Sequence, residues 1–131
     1  MKINFIFFAA IIFSIVSCNS PESKLIGTWK VDDVETHFDE NRMTPEMVLQ
    51  VVDMQKETYF RILNDSVIII VSSDNTHEAK WDYNDQDSTI NYYFDSTPTI
   101  KNKLGKFVNG NVVSISNAAI GKMVVTYGKE E

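Results

Sequence analysis

The chain has 131 residues, with 18 acidic against 12 basic side chains, a net charge of −6 and a pI near 4.8. That length supports one domain around one core, and the acidic balance argues against nucleic acid, whose binders need basic patches. Cys18 is the only cysteine, so no internal disulfide can form and stability must come from the core.

The N-terminus carries an address. Lys2 precedes an apolar run from residue 3 to residue 16, and Ile15-Val16-Ser17-Cys18 closes it. A run of 14 residues, apolar except for Asn4 and Ser14, suits a signal segment and falls short of the roughly 20 that span a bilayer. A small residue directly before cysteine is the layout of a bacterial lipoprotein signal peptide. Ile15 and Val16 stand where Leu and Ala or Gly are preferred. An uncleaved anchor with an incidental cysteine and an ordinary secretory signal are the alternatives. On the lipoprotein reading, residues 1–17 are removed, residues 18–24 form an acylated tether and residues 25–131 form the domain. Two or more acyl chains hold a protein stably at a membrane. The tether reaches at most about 20 Å, so the domain sits close to the bilayer. Asn19 stands where some sorting systems read a retention Asp, so a periplasm-facing outer-membrane location is preferred over the inner membrane. The acidic chain has no electrostatic grip on anionic lipid, which leaves the anchor to hold alone.

Residues 25–34 read as a first strand, with Leu25, Gly27, Trp29 and Val31 on one face. Asp32-Asp33 breaks the alternation and predicts a bulge. Residues 35–42 read as a polar connection. Thr44-Pro45-Glu46 then supplies a cap, a first-turn proline and a charge that suits the helix start. Met47, Val48, Val51 and Val52 form an apolar stripe on a helix running to about Lys56, and its expected cover is the strand at residues 67–71.

From Thr58 the period is that of strands. Residues 59–63 and 67–71 are the next two, the latter five β-branched residues read as covered on both faces. Residues 76–83 alternate, with His77, Ala79, Trp81 and Tyr83 inward. Ile90, Tyr92 and Phe94 face inward on the next strand. A segment over 99–108 leads to Asn109-Gly110, a type I′ hairpin signal. Residues 112–116 and 122–127 complete the pattern. About eight strands at 8–12-residue spacing fit a sandwich or an up-and-down barrel.

Leu25-Ile26-Gly27-Thr28-Trp29-Lys30 places Gly-x-Trp on the first strand of such a domain. This resembles the calycin superfamily of lipocalins and fatty-acid-binding proteins, and the chain as a whole is similar to small lipocalin-like bacterial lipoproteins. The resemblance implies a mostly β fold: an antiparallel up-and-down barrel of about eight strands with one helix between the first and second. It also implies that Gly27 permits close backbone approach and that Trp29 plugs the closed end. A helix directly after the first strand looks more like fatty-acid-binding proteins, which carry two helices and about ten strands; that resemblance implies a helix from Pro45 to Lys56 lying over a barrel opening, the alternative to covering the strand at residues 67–71. Their ligand-binding arginine and tyrosine set near the chain end is matched only by Tyr127.

Chemistry-bearing motifs are few. His37 and His77 lack the paired spacing of a zinc site. Residues 82–87 begin like a calcium loop but place Asp87 where the turn glycine belongs and Tyr93 where the closing Glu belongs. No nucleophile motif, metalloprotease motif or phosphate-cradling loop is present. The expectation is therefore a protein without metal or cofactor and without enzymatic activity. Trp81, Tyr83, Tyr92, Phe94, Met123 and Tyr127 are the candidate lining of an interior site. An eight-stranded barrel can fill itself with side chains or hold one small ligand. The expected role is that of a lipid-anchored envelope protein binding a small apolar molecule. The alternative is a surface-acting module, with a filled barrel, that binds another envelope protein.

Overall fold

The structure is a computed structural model that describes residues 21–130; the expected signal segment, Cys18 and the first residues of the expected tether lie outside the described residues. A 3-10 helix, Pro21–Leu25, comes first. It drives Leu25 into the core with no exposed surface, where the alternation had placed that residue on a strand. The second half of the expected tether is therefore already part of the domain.

Eight strands follow: β1 Gly27–Phe38, β2 Tyr59–Ile62, β3 Val67–Ser72, β4 Asn75–Asn84, β5 Thr89–Tyr93, β6 Asn102–Val108, β7 Asn111–Ala118 and β8 Gly121–Lys129. Each pairs antiparallel with the next, and β8 returns to β1, which closes the barrel. Closure leaves no edge strand, although β1 pairs with β2 only over Gly27–Lys30. One helix, α1 (Pro45–Lys56), lies between β1 and β2. The mostly β up-and-down barrel expected from the sequence is the fold observed.

The barrel has two unlike ends. The 3-10 helix and the turns at 63–66, 85–88 and 109–110 gather at one, called here the closed end. Helix α1, the turns at 73–74 and 119–120 and the loop at 94–101 gather at the other, the helix end. Trp29 is the centre of the closed end. Its ring stacks on Phe60 at 6.0 Å and meets the edge of Phe107 at 6.2 Å. Ile62, Ile68, Ile90 and Val112 bury fully around it. Each such side chain contributes about 1.5–3 kcal/mol by leaving water, so this half of the barrel carries the stability that no disulfide supplies. Gly27 opens β1 beside the Lys129 side chain, whose Cε would lie 2.6 Å from any Cβ placed there.

Local signals read from the sequence account for several details. The register of β1 against β8 slips between Val31 and Asp33, at the predicted bulge. Asn109 and Gly110 both take positive φ, 52° and 85°, as a type I′ turn requires. The Thr44 hydroxyl caps α1 by accepting from the Met47 N–H at 3.2 Å.

Three expectations need correction. Strand β1 runs on to Phe38, through residues read as a connection, because β8 is long enough to pair with it as far as Gly121. Strand β3 is not covered on both faces. Ile68 is buried, but Ile69 and Val71 are only half-buried, screened by cross-strand neighbours such as Arg61, Glu78 and Tyr59. Helix α1 does not lie over β3. It folds back on β1, the strand it leaves, and none of its residues is buried. The short 39–44 connection imposes this: the Asp39 N–H donates to the Ile120 carbonyl at 2.7 Å and pins the connection to the β7–β8 turn. Met43, just before the helix, is the buried anchor instead.

Candidate functional site

Strand register decides which side chains share the barrel interior, because directly opposed residues of an antiparallel pair point to the same face. Trp81 opposes Tyr92, Tyr83 opposes Ile90, and Tyr127 opposes both Val112 and Val31. Met123 opposes Thr36 on one side and Ser116 on the other. These five candidate lining residues therefore face inward, and the sixth, Phe94, just beyond β5, packs against the core from the 94–101 loop. They divide by height.

Trp81 and Tyr127 belong to the packed core. The Trp81 indole N–H donates to the Asn64 carbonyl at 2.8 Å, in the β2–β3 turn, which draws the ring to the closed end. Tyr127 sits edge-on to Phe60 at 5.0 Å, and burial pushes its phenol pKa above the usual value near 10. Tyr83, half-buried, lies lower still on β4.

Tyr92, Phe94 and Met123 occupy the helix-end half. All three are half-buried and pack on the core from above, as do Val34 and Ile70. The Tyr92 and Phe94 rings meet edge to face at 6.0 Å. His77 opposes Ile70 and places its ring 6.4 Å from that of Phe94. Its side chain faces inward as expected, but it is exposed, because its strand level lies at the mouth. These half-buried apolar side chains, with Thr36 and His77 nearest the helix end, are the set called here the cup. Sequence alternation identified its aromatic side but missed Val34 and Ile70. Val34 was concealed by the bulge that resets the phase of β1.

The 94–101 loop shapes one side of the mouth. Lys101 clasps it to the wall: its Nζ pairs with Asp82 and lies 5.5 Å from the centre of the Tyr93 ring. That hydrogen bond to Asp82, with the charge behind it, holds the ammonium above its ordinary pKa. Asn91 donates to the other Asp82 oxygen at 3.3 Å. His37, the second histidine, lies outside the barrel and pairs with Glu35 at 3.0 Å. Among the described residues, no three His, Cys, Asp or Glu side chains lie together so as to hold a metal ion.

The sequence matches no family model and no curated protein. Among solved structures, a DUF4847 family protein from Bacteroides vulgatus ATCC 8482 is similar, with 14% identity and a TM-score of 0.43, over 82% of this chain and 96% of that one. At that level of likeness, no residue role carries over.

Proposed function

We propose that this protein is a lipid-anchored, lipocalin-like envelope protein, acylated at Cys18 and facing the periplasm, whose barrel holds a small apolar molecule at the helix end. The observation that carries the binding reading is the division of the interior. At the centre of the closed half Trp29, Phe60, Ile62, Ile68, Ile90 and Val112 are buried, with Val31, Tyr83 and Phe107 half-buried around them, whereas in the other half Val34, Ile70, Tyr92, Phe94 and Met123 all keep part of their surface in solvent. Apolar residues on an inner face, left wet and ringed by aromatics, are surface that a guest can bury. The role is non-enzymatic: the cup offers apolar walls and a single imidazole. The anchor reading rests on the Ile15-Val16-Ser17-Cys18 box.

Native mass spectrometry of protein purified from its host membrane, with a fluorescent fatty-acid analogue as a second probe, tests the binding. Wild type should take up the probe. Phe94→Ala should weaken uptake by about tenfold, the equivalent of about 1.4 kcal/mol, without loss of fold. Failure of the wild type to bind any apolar probe overturns the cavity reading.

A second reading, a module that binds another envelope protein, has its own support. On α1, Met47, Leu49 and Met54 are 44%, 62% and 60% exposed. That is an unusual amount of bare aliphatic surface for a helix of 12 residues.

A further inference from the structure

We infer that the closed end of the barrel rests on the phospholipid surface and that the helix end, with its cup and α1, points away from the membrane. This rests on the anchor reading of Cys18 and adds an orientation to it.

The first argument is reach. Pro21 already belongs to the 3-10 helix that plugs the closed end, and only Asn19 and Ser20 separate it from Cys18. Three residue steps span at most about 10 Å. Strand β8 alone, with nine residues, extends about 30 Å from the helix end to the closed end. An anchor at Cys18 therefore leaves the closed end at the bilayer and the helix end beyond its reach.

The second argument is surface chemistry, independent of the tether. The closed-end rim exposes three aliphatic side chains: Ile26 at 39%, Leu63 at 43% and Val108 at 44%. Lys24, Lys30, Arg61 and Lys129 stand around them. Lys129 donates to the Lys24 carbonyl at 3.0 Å, and Lys30 pairs with Glu130 at 3.2 Å. Acids are present here too, namely Glu22 and Glu130 with the turn residues Asp65, Asp85 and Asp87, so this end is close to neutral. The helix end is different. Asp39, Glu40, Glu46, Asp53, Glu57 and Asp74 crowd it, against Arg42, Lys56 and Lys122. An anionic leaflet repels that end and tolerates the other. The exposed methionines and leucine of α1 stand among those acids, so they suit a soluble ligand or partner better than lipid.

The test uses the full-length acylated protein in vesicles of phosphatidylethanolamine and phosphatidylglycerol. With Cys18 consumed by acylation, an added cysteine is the one free thiol. Asp65→Cys and Asp74→Cys place it in exposed turns at opposite ends of β3. Each is labelled with a fluorophore, and a headgroup-linked quencher is added to the lipid. The label at 65 should lose most of its emission and the label at 74 should keep most of it. Asp85→Cys and Asp95→Cys form a second pair, used if either turn variant misfolds. Intact mass on the same samples separates the two claims. Acylated protein with equal or reversed quenching overturns the orientation and leaves the anchor standing. Membrane-bound protein without an acyl mass overturns the anchor, and the orientation with it.

Discussion

The Trp29 indole N–H donates to the Leu25 carbonyl at 2.9 Å, tying the plug at the closed end to the strand that follows it. One side chain thus joins the 3-10 helix, β1 and the stacked Phe60 ring. Trp29→Ala should cost about 3–5 kcal/mol, as large aromatic truncations in packed cores do. Trp29→Phe should cost less, but it leaves a buried carbonyl without its donor, worth about 1–3 kcal/mol. Urea titration of both variants checks the order; a loss below about 1 kcal/mol for the alanine would contradict the packing.

Trp81 offers a parallel test. Its indole N–H reaches the Asn64 carbonyl, so the ring braces the β2–β3 turn rather than the cup. Trp81→Phe should lower stability by about 1–2 kcal/mol and leave uptake of an apolar probe unchanged. Reduced uptake with unchanged stability would place Trp81 in the ligand site.

Gly121 turns the chain into β8 at a φ of 137°, and a Cβ there would lie 2.1 Å from the His37 carbonyl oxygen. Backbone cannot retreat as a flexible side chain can. Gly121→Ala should therefore destabilise by about 1–3 kcal/mol through strain alone. Differential scanning calorimetry should show a clearly lower melting temperature; an unchanged one would mean that the β1–β8 closure is looser than observed.

Tyr127 makes stability depend on alkaline pH. Burial raises its folded-state pKa above the unfolded value near 10, so the folded protein holds the phenol proton more tightly. Its contribution is fully present below pH 10 and is lost as pH rises through the folded pKa. Wild type should lose stability above about pH 10. Tyr127→Phe should lose less over the same interval, measured by urea midpoints at several pH values. Parallel pH profiles would show that the phenol is not the titrating group.

Helix α1 should be thermodynamically quiet. With no residue of the helix buried, Leu49→Ala and Met54→Ala should each change stability by no more than about 0.5 kcal/mol. Met43→Ala, just outside it, removes a buried side chain and should cost about 2 kcal/mol. If the helix variants proved as costly as Met43→Ala, α1 would be packed more tightly than its exposure indicates.

Much of the molecule was legible as sequence because its signals are local. Alternation marks a strand whatever it packs on, so the strands of residues 76–83 and 122–127 and the inward set Trp81, Tyr92 and Met123 could be read directly. Asn109-Gly110, Asp32-Asp33 and Thr44-Pro45 each declare a backbone geometry within a few residues. What the tertiary structure alone decided depends on which distant segments meet. Ring closure set how far β1 runs, because its residues beyond Val34 are strand only where β8 supplies hydrogen bonds. The stripe on α1 follows the helical period correctly, but a period cannot say whether a surface exists to cover it, and the 39–44 connection brings the helix to β1 instead of β3. The candidate lining divided in the same way. Alternation assigns a face, whereas height along the barrel comes from strand pairing and from one long-range hydrogen bond, Trp81 to Asn64. That pairing sends Trp81 and Tyr127 to the core and leaves Phe94 and Met123 at the mouth.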